Sequence, residues 1–206
     1  RFALNLRSTM VALAMASTIC ACASTPAGTE EVGDLQRMER ERRDEALREA
    51  DKAFRANDPE EAKRRYIAAI RKYPDFGQAW NNLGVVLMDQ EQYLEAGEAF
   101  DRAAQLEPSD PRPVYNRGLL WFERGYLQDS MPHFLEALER DPNYLPALRS
   151  AIRTSIRLRE TSEVTLDQIK RALLIETDQK WRDYFERQRL LIEASLTEKT
   201  VGGPSL

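Results

Sequence analysis

The sequence predicts an all-α fold built from consecutive pairs of antiparallel helices, followed by one terminal helix. Two observations lead to this prediction: a 34-residue spacing that recurs for several residue types, and apolar residues at helical intervals between the recurrences. The chain has 206 residues, of which 42% are hydrophobic and 31% charged. This composition is typical of one globular unit of ordinary size.

Four residue types recur in one register through the middle of the chain. Members of each series lie 34 residues apart: Tyr66, Phe100 and Phe134; Ala69, Ala103 and Ala137; Pro74, Pro108 and Pro142; Gly84 and Gly118. Ala62 and Ala96 keep the same step, which Ser130 breaks. Small residues let two helices approach closely, aromatic residues fill the space around that contact, and proline ends the second helix.

These positions resemble the tetratricopeptide repeat (TPR), a helical pair with a 34-residue period. The segment 80–87, continued by Ala96, Phe100, Ala103 and Pro108, matches the family pattern almost in full. The resemblance implies an α-solenoid of about four helix-turn-helix units, with residues 34–197 as the TPR domain. The clearest repeats are 77–110 and 111–144, and in the second of them Pro132 is expected to delay the start of the second helix.

Weaker helical pairs flank the two clear repeats. Apolar residues between 46 and 70 predict a degenerate first repeat, and those between 148 and 172 predict a fourth. Thr165 and Gln168 are interpreted as a capping box of the fourth repeat. The last helix, about residues 178–196, is predicted to close the solenoid with a polar outer side, and 198–206 to form a loose tail.

The beginning of the chain has the pattern of an export signal. Arg1 and Arg7 precede an uncharged apolar stretch, residues 9–22, that is shorter than the roughly 20 residues a bilayer span needs. Residues 1–22 therefore read as a signal peptide, and residues 23–33, which are small and polar, as a flexible tether. Residues 19–22 resemble a bacterial lipobox, which implies lipidation of Cys22. Residues 21–23 also fit ordinary signal peptidase, so an alternative is a soluble secreted or periplasmic module.

Composition and residue counts exclude several function classes. The net charge of −4 argues against wrapping around nucleic acid, which needs a basic surface. The chain has one histidine, His133, and two cysteines, Cys20 and Cys22, too few for a multi-histidine metal site or a histidine–cysteine pair. We therefore expect no enzyme activity, cofactor, metal ion or small-molecule substrate, and a structural role for His133. The rival hypothesis is an enzyme that modifies envelope polymers.

The TPR resemblance implies that a protein or peptide binds in the concave groove lined by the first helix of each unit. The corresponding positions here are Asn81, Val85, Met88, Tyr115, Leu119, Phe122, Arg149, Arg153 and Arg157. The three arginines are four residues apart and share one helix face, where they are either ligands for carboxylates or a solvated charged surface. Tyr115 and Phe122 are candidate aromatic anchors.

Chaperone-binding members of the family hold a terminal carboxylate with a clamp of lysine, asparagine and arginine. Asn116 fits the middle position of that clamp, but Asn81 and Val85 replace the first pair, and Pro146 and Ser150 the last. Binding of chaperone tails is therefore not expected.

The combination of repeats and export signal is similar to TPR lipoproteins of envelope assembly, such as type IV pilus pilotins. The resemblance implies a non-enzymatic adaptor with a protein or peptide partner of unknown identity. Residues 23 and 24 lack the aspartate associated with inner-membrane retention, which implies an outer-membrane lipoprotein facing the periplasm. Whether the last helix occupies the groove is left open by the sequence.

Overall fold

A computed structural model describes residues 27–55 and 58–201, with only the backbone described for residues 27–31, 53 and 199–201. The predicted signal peptide and Cys22 lie outside these ranges. Within them the all-α prediction is confirmed, and no strand occurs. The helices are α1 (Ala27–Arg55), α2 (Pro59–Lys72), α3 (Gly77–Asp89), α4 (Tyr93–Leu106), α5 (Arg112–Glu123), α6 (Leu127–Arg140), α7 (Leu145–Arg157), α8 (Glu163–Ile175) and α9 (Gln179–Val201).

The chain divides into two compact units, residues 1–39 and 40–206, with the boundary inside α1. In the described part of the first unit, Arg37 and Asp34 form an exposed ion pair at 2.9 Å, one helical turn apart. The second unit is an α-solenoid in which successive helices pack on one another, α3 against α4 and α5 against α6 most extensively. Each of these two pairs is one helix-turn-helix unit.

The recurring aromatic residues form the centre of the successive pairs. Tyr66 is 1% exposed, and Phe100 and Phe134 are fully buried. A Cβ added at Gly84 would lie 2.5 Å from Cε1 of Phe100, and one at Gly118 would lie 2.7 Å from Cε1 of Phe134. Carbon atoms in contact stand about 3.5–4.0 Å apart, so glycine is required wherever these rings cross the facing helix.

The start and the end of the helical region differ from the sequence prediction. The predicted tether overlaps α1, which begins at Ala27. Alanine and glutamate in the segment 27–31 favour helix, and acidic residues suit a helix N-terminus. The sequence predicts a loose tail from residue 198, but α9 continues to Val201 because the segment 179–201 contains no glycine or proline.

Two local predictions inside the solenoid are wrong. Pro132 does not delay α6, which begins at Leu127 and contains the proline. Because Pro132 lies in the second turn, its missing N–H removes one intrahelical hydrogen bond and leaves the first turn intact. Thr165 does not cap α8; Ser162 does, since its hydroxyl accepts a hydrogen bond from the Thr165 backbone N–H at 3.2 Å.

Candidate functional site

The predicted groove residues lie on α3, α5 and α7, and α5 contacts both of the other helices. On each helix they recur at intervals of three or four residues, so they share one face. Side-chain contacts link the three faces: Asn116 of α5 bonds to Asn81 of α3, and two arginines of α7 lie over Phe122 of α5. The structure therefore places the predicted residues on adjoining faces of three neighbouring helices.

At the α3 end of this surface the polar groups bond to one another. Nδ2 of Asn116 donates to Oδ1 of Asn81 at 2.8 Å, and Nδ2 of Asn81 donates to Oδ1 of Asn82 at 3.0 Å. Asn82 in turn donates to Asp51 of α1 at 3.2 Å, and the Tyr66 hydroxyl donates to the same carboxylate oxygen. Asn81 is buried and serves as a link between helices, a role that the sequence analysis missed together with Asp51 and Asn82.

The apolar groove positions are largely core residues. Val85 and Met88 are half-buried against the core of α1–α4, and Leu119 is half-buried against the core that follows. The Tyr115 ring centroid lies 5.4 Å from that of Tyr144, and burial raises the pKa of the Tyr115 hydroxyl. Phe122 is only 9% exposed. Both rings pack around Phe134, and their role as aromatic anchors for a partner stays a prediction.

Arg149 is neutralised within the molecule. Its Nε and Nη2 donate to the two carboxylate oxygens of Glu176, each at 2.7 Å, and its guanidinium lies 4.9 Å from the Trp181 ring centroid. The Glu176 side chain is fully buried, and the hydrogen bonds from Arg149 lower the pKa of its carboxyl. Arg149 is thus part of a structural ion pair between α7 and the α8–α9 connection.

Arg153 and Arg157 remain exposed and unneutralised. Their guanidinium carbons lie 5.2 Å and 5.0 Å from the centroid of the Phe122 ring, and that of Arg153 lies 6.0 Å from the Trp181 ring. In the described part of the chain, no carboxylate oxygen comes within ion-pair distance of either arginine. Stacking on aromatic faces holds the two cations in place while their N–H groups stay free to donate.

The first turns of α9 complete this basic surface. Arg153, Lys180, Trp181 and Tyr184 line a cavity of about 280 Å³, and Lys180 is exposed. The rings of Trp181, Tyr184 and the buried Phe185 pack together, which anchors the start of α9. The sequence predicts a closing helix at 178–196, which contains these aromatic residues, but gives no sign that they lie beside the arginines. We call Arg153, Arg157, Lys180, Trp181 and Tyr184 the basic groove.

Metal ligands, a titrating histidine and membrane-spanning helices are the other features of the described residues that bear on function. Across residues 27–55 and 58–201, no group of three or more histidine, cysteine, aspartate or glutamate side chains could hold a metal ion. His133 is half-buried, and burial is the main cause that lowers its pKa. None of the helices described above is both long and apolar enough to cross a bilayer.

Comparison with protein families and relatives agrees with the helical pairing. Residues 47–111, from α1 to the start of α5, match the family model of the tetratricopeptide repeat. This stretch of the chain therefore has the sequence of tetratricopeptide repeats. The chain is 32% identical over 116 residues to the human protein O-mannosyl-transferase TMTC3 and 31% identical over 93 residues to the TPR repeat-containing protein PA4667 of Pseudomonas aeruginosa. These matches cover 55% and 45% of this chain, but only 12% and 16% of the two relatives.

Solved structures show the same TPR fold. A MamA RS-1 ArsTM double mutant superposes with a TM-score of 0.55 at 15% identity, over 75% of this chain and 96% of that one. The first TPR of Spaghetti (RPAP3), bound to the HSP90 peptide SRMEEVD, gives a TM-score of 0.52 at 19% identity, over 55% of this chain and 93% of that one. TPR domains with this fold are typical of protein–protein interaction.

Proposed function

We propose that this TPR protein is a non-enzymatic adaptor whose basic groove holds an acidic segment of a partner protein. The observation that carries the proposal is the set of unneutralised cations, Arg153, Arg157 and Lys180. Arg153 and Arg157 lie over the Phe122 ring, and Arg153 and Lys180 line one cavity with Trp181 and Tyr184. We place the adaptor in the bacterial cell envelope, where it assists assembly of an envelope complex.

The chemistry of these side chains favours carboxylates. Guanidinium groups bind carboxylates through paired, charge-assisted hydrogen bonds, and Arg153 and Arg157 are positioned for this by stacking on Phe122. A cation that is already ordered loses less side-chain entropy when a ligand binds. Trp181 and Tyr184 add apolar area for the aliphatic part of the ligand.

The peptide-bound RPAP3 structure supports an acidic ligand but not the same ligand. Its peptide, SRMEEVD, carries three acidic residues. In the present chain Asn81, Pro146 and Ser150 occupy the positions where the family's chaperone clamp has cations, and Asn81 and Ser150 are buried. The cations lie instead at the C-terminal end of α7 and the start of α9. We therefore propose a partner other than a chaperone tail.

A charge-reversal experiment tests the basic groove. A fluorescein-labelled peptide that alternates glutamate with leucine is titrated with wild type and with the Arg153→Glu/Arg157→Glu variant, and its anisotropy is measured. We expect the variant to bind at least about tenfold more weakly, because two attractive charges become repulsive. Tryptophan emission should change when the peptide binds, and this change should be lost in Trp181→Phe. Such a loss would show that the peptide binds in the basic groove.

The matched control reverses two exposed cations on other helices, in Arg71→Glu/Lys170→Glu. This variant has the same net charge as the groove variant, so it should bind like wild type if the site is local. Equal weakening of both variants would show that only net charge matters and would contradict the basic groove. Circular dichroism melts verify that both variants fold.

For the location, we propose that Cys22 is lipidated and anchors the protein in the outer membrane, facing the periplasm. The support is the uncharged stretch at 9–22 and the lipobox-like end at 19–22. Cells expressing the protein are labelled with radioactive palmitate, and label is expected in wild type but not in Cys22→Ser. Label that persists in Cys22→Ser rules out this anchor, and unlabelled wild type in the periplasmic fraction favours the soluble alternative.

A further inference from the structure

A second cavity lies away from the basic groove, between the start of α4 and the end of α5. Its volume is about 610 Å³, more than twice that of the groove cavity. The residues that line it and carry the argument are Glu91, Glu95, Glu98, Leu94, Trp121 and Arg124. Cavities of this size accommodate several side chains of a ligand.

The cavity and the basic groove use opposite faces of α5. Leu120, Trp121 and Arg124 line the cavity, whereas Phe122 supports the groove arginines. Successive residues of an α-helix are rotated by about 100°, so positions 120, 121 and 124 point away from positions 115, 119 and 122. A ligand in the cavity therefore does not contact the groove.

The balance of charge in the cavity lining is negative. Glu91, Glu95 and Glu98 are exposed, and no cationic side chain among the described residues comes within ion-pair distance of them. The lining also holds two arginines, so its four carboxylates, Glu91, Glu95, Glu98 and Asp101, face two positive charges and the balance stays negative. Arg117 pairs with Asp101, and the guanidinium of Arg124 lies 5.0 Å from the Tyr93 ring and 5.3 Å from the Tyr126 ring.

The same cavity presents apolar surface and open space. Leu94 is 75% exposed, and Trp121 is half-buried with its ring 5.7 Å from that of Tyr126. A Cβ added at Gly97 would meet no atom within 4 Å, so this part of the lining is empty. An apolar patch rimmed by charges of one sign is typical of an interaction site.

We propose that this cavity is a second docking site, which takes a basic segment of a partner polypeptide. Its lysine or arginine side chains pair with Glu91, Glu95 and Glu98, while a neighbouring aliphatic side chain packs on Leu94 and Trp121. The charge complementarity is opposite to that of the basic groove. The protein can therefore hold two segments of opposite charge at once, and the cavity does not depend on the proposed function of the groove.

The test uses a fluorescein-labelled peptide that alternates lysine with leucine, titrated against the full chain with anisotropy as the readout. We expect Glu95→Lys/Glu98→Lys to weaken binding at least about tenfold. Gly97→Leu should also weaken it, because a Cβ at this position meets no protein atom within 4 Å and a longer side chain would occupy space in the cavity. Trp121 emission should change on binding, and this change should disappear in Trp121→Phe but persist in Trp181→Phe.

The matched control, Glu139→Lys/Glu160→Lys, reverses two exposed carboxylates outside the cavity and should bind like wild type. A further variant, Glu91→Gly, removes a carboxylate at a turn position with φ of 59°, where the equivalent Gly125 has φ of 85°. It should fold normally and bind more weakly. The proposal is overturned if the cavity variants bind the peptide as tightly as wild type, or if the control variant is weakened equally. It is also overturned if the protein associates with itself in a concentration-dependent way and does not bind the peptide.

Discussion

Replacing Phe100 with alanine is expected to lower the free energy of unfolding by about 4 kcal/mol. The Phe100 ring is fully buried at the centre of the α3–α4 pair, where it crosses α3 beside Gly84. Removing the ring leaves a cavity in this buried cluster, which the surrounding side chains fill only in part. Urea denaturation of wild type and Phe100→Ala, monitored by circular dichroism, measures the difference.

The contact between Phe100 and Gly84 can be tested separately by a second substitution. Gly84→Ala alone should lower the free energy of unfolding by about 2 kcal/mol, because its Cβ would overlap the Phe100 ring. In the Phe100→Ala background the overlap no longer exists, so the same Gly84→Ala change should be neutral or stabilising. A double-mutant cycle therefore yields a coupling energy that isolates this packing contact.

Gly97 supplies the matched control on the neighbouring helix. Its added Cβ meets nothing, so Gly97→Ala should stabilise the protein by about 0.5–1 kcal/mol through helix propensity alone. Equal effects of Gly84→Ala and Gly97→Ala would contradict the role assigned to the Phe100 ring. The same logic applies to Gly118 and Phe134 in the next repeat.

The packing of the repeats could be predicted from the sequence because it depends on spacing. A 34-residue step places Phe100 and Phe134 in equivalent surroundings, and each needs a glycine on the facing helix, 16 residues earlier. The residues at which helices begin and end depend on single hydrogen bonds and on the placement of individual residues. One hydrogen bond decides that Ser162, not Thr165, caps α8. The position of Pro132 within α6 decides whether this proline interrupts the helix.

The site could be predicted only in part. Sequence periodicity predicts which residues share a helix face, but not which side chains from other helices contact them. The four-residue spacing correctly placed Arg149, Arg153 and Arg157 on one face of α7. The acid that neutralises Arg149 is Glu176, 27 residues further along the chain and in a connection between helices. Likewise, Trp181 reaches the arginines because α9 packs on α8, a tertiary contact that no local pattern encodes.

The ion pair between Arg149 and Glu176 is the second contact with a large expected effect. Arg149→Met should lower the free energy of unfolding by about 3 kcal/mol at pH 7, because it leaves the buried Glu176 carboxylate without its cation. The double variant Arg149→Met/Glu176→Gln should recover at least half of this loss, because the buried group is then neutral. A double variant no more stable than Arg149→Met would show that packing, and not charge, holds the connection.

The pH dependence of the two proteins should have opposite signs. In wild type, Arg149 lowers the pKa of Glu176 below its ordinary value of 4.5, so the stabilisation is complete above pH 4.5 and is lost as the pH falls through the lowered pKa. In Arg149→Met, burial without a cation should raise that pKa, so the variant regains stability on protonation as the pH falls. Urea denaturation between pH 7 and pH 3 should therefore show the stability difference between the two proteins shrinking. The Arg149→Met/Glu176→Gln variant, which lacks the titrating carboxyl, serves as the baseline, and a difference that grows with acidity would contradict the proposed burial of an unpaired carboxylate.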